Sequence, residues 1–86
     1  MDIKIAANKT LEVLNTLDWP NELVVIKNNH RPAAEYEHVK WMLEGIVMGY
    51  IQHEKAHRWL SWAQGVIYCN QLSVDLDTFK NINKEA

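Results

Sequence analysis

At 86 residues, with 48% hydrophobic and 23% charged residues, the chain has the profile of one folded globular domain and not of a disordered segment. Nine Lys and Arg against eleven Asp and Glu give a net charge of −2, which argues against a nucleic-acid binder with its basic surplus and against an acidic DNA mimic. The single cysteine, Cys69, excludes an internal disulfide framework and a multi-cysteine zinc site, and points to a reducing, cytoplasmic setting.

The first ten residues carry Lys4 and Lys9 and lack the apolar core of a secretory signal. Nowhere do about 18 apolar residues run together, as a membrane span requires. From Ile3 to Leu17 the spacing predicts an amphipathic helix, with Ile3, Ala7, Thr10, Leu11, Leu14 and Leu17 on one face and Asn8, Glu12 and Asn15 pointing away. Asp18-Trp19-Pro20 ends it, because proline disfavours helical geometry in the residue before it. The apolar run Leu23 to Ile26 is too short for its period to decide between a brief extended segment and one helical turn. Asn28 to Pro32 reads as a turn, with Pro32 suited to the first position of a new helix.

That second helix runs from about Pro32 to Met48 or Tyr50, with Tyr36, Val39, Met42, Leu43, Ile46 and Tyr50 as its apolar stripe. Gly49 weakens its end, and Gln52-His53 makes the connection. A third helix, about Glu54 to Asn70, carries a wide apolar arc of Ala56, Trp59, Leu60, Trp62, Ala63, Val66 and Ile67. So wide an arc predicts a helix covered on two sides and placed centrally. Ser73 reads as the N-cap of a last helix, about Val74 to Asn83, which offers Leu76, Phe79 and Ile82 to the core. Lys84 to Ala86 are expected to fray.

One stretch looks like an enzyme. His53-Glu54-Lys55-Ala56-His57 matches H-E-x-x-H, in which two histidines one helical turn apart bind Zn²⁺ and the glutamate activates its water. Against a metal-dependent hydrolase stand the missing third ligand, the two cations Lys55 and Arg58 beside the ligands, and the position of His53 at the edge of its helix. Glu35-x-x-His38 and Glu54-x-x-His57 also fit the Glu-x-x-His element of di-metal bundles. In a hairpin closing near residues 50–52 the two pairs would lie about 15 Å apart, too far for one centre. No Ser-His-Asp set, phosphate loop or CxxC element is present, so no cofactor is expected.

Four tryptophans in so short a chain are its unusual feature. Trp41 falls nearly opposite the Val39–Leu43–Ile46 stripe, beside Glu37, Glu44 and Met48. Either another element, the first helix foremost, packs there, or Trp41 and Met48 form an exposed apolar patch among charges, the material of an interface centre. Trp59 and Trp62 are expected in the core from their place on the arc of the third helix, with Trp62 at its edge and open to half exposure. Arg58 on the polar side is placed to meet a partner carboxylate. The candidate interaction surface is therefore Glu37, Trp41, Glu44, Met48, Arg58 and Trp62.

Glu35 to Leu43, with its Trp41-Met42 pair, followed by Glu54-Lys55-Ala56, Arg58-Trp59-Leu60 and Gln64-Gly65, resembles a group of small helical accessory proteins of tailed bacteriophages. There a W-M helix is followed by an E-K-A-x-R-W-L-x-x-x-Q-G helix and a short C-terminal one. The resemblance covers about residues 31–83, and Ser61 stands where the group has glycine. It implies an accessory protein acting in the host cytoplasm, and a packing role for Gly65 that lets a neighbour approach closely. It carries no established activity.

The expectation is thus a single all-α domain of three main helices and a short fourth. It is read as a non-enzymatic module that binds a host or phage protein through the Trp41 face, or pairs with itself. The alternatives are the hydrolase using His53, Glu54 and His57, and a nucleic-acid accessory role using Lys40, Lys55 and Arg58.

Overall fold

Two helix starts and one helix end are set where a side chain or a glycine satisfies backbone groups that the helix leaves unpaired. In the computed structural model, which describes residues 1–17, 36–70 and 74–86, the elements are α1 (Ile3–Thr16), α2 (Tyr36–Val47), α3 (His53–Asn70) and α4 (Leu76–Glu85). The all-α expectation holds, with no strand among the described residues. The readings of residues 18–35, including the run Leu23 to Ile26, and of Ser73 lie outside them.

Asp2 caps α1, its Oδ1 accepting from the backbone N–H of Lys4 at 3.0 Å and of Ile5 at 3.2 Å. α2 ends in a full Schellman motif. The N–H of Tyr50 donates to Gly45 O at 2.9 Å and that of Gly49 to Ile46 O at 3.1 Å, with Gly49 at φ +82°, where a side chain would be strained. The Lys4 side chain crosses this turn, its Nζ 3.3 Å from where a Gly49 Cβ would stand, so a cation from α1 meets the negative end of α2. Gly45 also permits a close approach, since a Cβ there would lie 3.3 Å from Ile51 Cγ1. Tyr50, expected on the α2 stripe, is past the helix and 77% exposed, because the glycine reverses the chain before it.

The Asp75 side chain, accepting from Thr78 N–H at 3.1 Å, caps α4. The helix therefore starts two residues later than its pattern suggests. Of its three expected core residues Phe79 is buried and Ile82 packs on the core, while Leu76, in the first turn, is half exposed. The last residues do not fray. Ala86 N–H donates to Ile82 O at 3.0 Å, and Ala86 O accepts from Asp2 N–H at 2.8 Å, which ties the end of α4 to the start of α1.

The core is one cluster. α1 gives it Ala6, Ala7 and Leu14, α2 Val39, Leu43 and Ile46, α3 Ala56, Leu60, Ala63, Val66 and Ile67, and α4 Phe79. As expected, α3 is covered on two sides, by α1 and α2. The central position expected for α3, however, belongs to α1, which packs on all three other helices. Ala6 and Ala7 bring the axis of α1 close to its neighbours. The Cα radius of gyration, 12.2 Å, matches the about 12 Å of a folded chain of this length.

One buried polar group interrupts this core. Gln64 of α3, 7% exposed, donates from Nε2 to Thr10 Oγ1 on α1 at 3.1 Å and to Asn83 Oδ1 on α4 at 2.9 Å, and accepts from Asn83 Nδ2 at 3.0 Å. Thr10 in turn donates to Ala6 O at 2.8 Å.

Two stability measurements check this packing. Leu60, 2% exposed, should cost about 2–5 kcal/mol on Leu60→Ala in urea unfolding. Gln64→Leu should cost about 1–3 kcal/mol by stranding its partners, and Asn83→Leu should then cost less in that background than alone.

Candidate functional site

Three of the large exposed apolar side chains among the described residues are those expected on the candidate surface. Trp41 is 57% exposed, Met48 63% and Trp62 48%, and Glu37, Glu44 and Arg58 are exposed with them. The two readings of Trp41 are thereby separated. The first helix does not cover it, because α1 lies on the Val39–Leu43–Ile46 side of α2. Trp62 is half exposed at the edge of the arc and not in the core where the arc placed it, and Trp59 is half-buried against the core.

His38, Trp41, Trp59 and Lys55 form a continuous ridge. The Trp41 ring lies 5.3 Å from His38 and 5.4 Å from Trp59 between centroids, tilted 44° in both cases. Lys55 Nζ stands 5.1 Å from the centre of the Trp59 ring, a cation–π contact. At about 100° per residue, Glu37 and Glu44 fall on the side of Trp41 away from His38 and α3. On α3, Lys55, Trp62 and Arg58 fall progressively outward from Trp59. Across the face the order is acids, Met48, Trp41, Trp59, then cations.

His53, expected in the connection, is the first residue of α3 and enters it at φ +58°, so the chain reaches the helix through the left-handed region. Arg58 Nη1 lies 3.3 Å from Glu54 Oε1, engaging the carboxylate that a hydrolase would need as its base. Among the described residues no three His, Cys, Asp or Glu side chains are grouped so as to hold a metal ion. Glu35, half of the second Glu-x-x-His pair, lies outside them.

The sequence reading did not find a second surface feature, a shallow groove of ≈ 230 Å³ between α3 and α4 lined by Gly65, Tyr68, Leu76, Phe79 and Lys80 among others. A Cβ at Gly65 would meet nothing within 4 Å. Gly65 therefore does not admit a close neighbour within the described fold, contrary to the packing role expected of it, and instead leaves the groove open. Thr10 on an otherwise apolar face was the available signal for the Gln64 bonds, since a buried hydroxyl needs a partner.

No helix among the described residues is long and apolar enough to cross a membrane. No protein-family model matches the chain, and no curated protein or solved structure matches it at a significant level.

The local geometry at residues 53–57 carries an expectation for metal binding. After dialysis against zinc, elemental analysis should find well under one zinc per chain, and His57→Ala should not change that content. A stoichiometric zinc lost in the variant would revive the hydrolase reading.

Proposed function

We propose that the protein is a non-enzymatic interaction module that docks another protein on the α2–α3 face centred on Trp41. The observation that carries this reading is the exposure of Trp41 at 57% on a ridge already ordered by its contacts with His38 and Trp59. A rigid exposed aromatic loses little conformational freedom on binding, and tryptophan surrounded by charges is the usual anchor of an interface. The likeness of the Trp41-Met42 and Glu54–Gly65 patterns to phage accessory proteins supports a partner among the proteins of a phage or of its bacterial host, met in the host cytoplasm.

Trp41→Ala tests the reading by separating fold from binding. The half-exposed ring gives the isolated chain little beyond its aromatic pair, so unfolding should shift by no more than about 2 kcal/mol. Binding should weaken by about 2 kcal/mol or more, roughly thirtyfold. Thermal melts, and titration of partners captured on the parent chain, measure the two effects. A variant that melts far below the parent, or one that keeps every captured partner, counts against the face.

A further inference from the structure

The distribution of charge across the Trp41 face identifies the partner it fits. At about 100° per residue Glu37 and Glu44, with Lys40 beyond them, form one edge of net negative sign, and Lys55 and Arg58, with Trp62 among them and Glu54 beyond, form the other of net positive sign, with Trp41 and Trp59 between. The Glu54 carboxylate at 3.3 Å offsets part of the Arg58 charge, and Lys55 stands over Trp59, yet the outer part of both cations remains open. A patch with opposite signs on its two edges is complementary to itself when turned about an axis running between them. A two-fold contact has this property, since the same surface serves both subunits.

The heights along the helices agree. Trp41 and Trp59 are level, being in contact. Measured from them toward the turn, Glu44 is three residues along α2 and Lys55 four along α3, about 4.5 and 6 Å. A two-fold axis parallel to the helices preserves height and exchanges edges. It therefore brings Glu44 of one protomer opposite Lys55 of the other, and sets Arg58 between the levels of Glu37 and Glu44. An axis across the helices would bring acid onto acid. We infer that the chain forms a homodimer through this face, with the two-fold axis running along the α2–α3 seam and the acidic edge of each protomer on the basic edge of its partner. The inference rests on the docking face proposed above and names a second copy as its occupant.

The pairing rule makes a sharp test by sedimentation, with a thiol reductant present because Cys69 is exposed and free. Across a dilution series the parent should approach twice the 10.0 kDa of the chain. The variants Glu37→Lys/Glu44→Lys and Lys55→Glu/Arg58→Glu should each sediment as monomers, since both of their edges then carry the same net sign. Mixed in equal amounts they should recover the dimer, because each then meets the opposite charge at both edges. Recovery should disappear when both also carry Trp41→Ala. A parent that stays at 10.0 kDa, charge variants that still self-associate, a mixture that stays monomeric, or recovery that survives loss of Trp41 would each overturn the homodimer. A monomeric parent that still captures a partner through Trp41 would do so while leaving the docking face standing.

Discussion

The bonds of Gln64 are the constraint on which the arrangement of the helices depends. Apolar packing is tolerant, and a helix that only buries leucines and alanines can slide or rotate at modest cost. A buried amide cannot, because each of its donors and acceptors must find a partner in one geometry. Gln64 reaches Thr10 on α1 and Asn83 on α4, so one side chain on α3 fixes the rotation and height of two other helices. Thr10 is itself held by Ala6 O one turn back, and no buried side-chain polar atom among the described residues is left without a partner.

That constraint also decides which surface is free. With α4 held on the Gln64 side of α3, α2 packs on the opposite edge, where Trp59 and Val66 lie. α1 covers the inner stripe of α2 through its alanines. The outward side of the α2–α3 pair is then left uncovered by the other helices, and there the sequence places Trp41, Met48 and Trp62. The short link from Gly49 to Gln52 keeps the two helices in contact, and its positive-φ glycine puts Trp41 and Trp59 at one height.

Periodicity was enough to read the helices, since Leu14, Leu43, Ile46, Leu60 and Ile67 all fall where their spacing places them. It also placed Trp41 opposite the buried stripe but left open whether another helix covers it, which only the position of α1 on the inner stripe decides. Less legible was whatever depends on one local geometry. Asp75 rather than an earlier residue starts α4, and that single shift leaves Leu76 outside the core. Ala86 is held by a bond to Asp2, a partner 84 positions away that no local pattern reveals. Gly65 looks the same in sequence whether it admits a neighbour or opens a groove, and only the positions of Tyr68 and Leu76 tell them apart.

Tryptophan presented to water invites indiscriminate association, and the ridge limits it in its own contacts. Trp41 is not an isolated ring on a helix. One side of it rests on His38 and another on Trp59, and Lys55 lies over Trp59 in turn. Each contact withdraws some apolar surface from water and restricts a rotamer. The acids and cations on either edge keep the exposed apolar area divided, which limits indiscriminate association while leaving a charge pattern that only a matching surface can satisfy. The features that make the free protein tolerable in solution are therefore the ones that would make its docking selective.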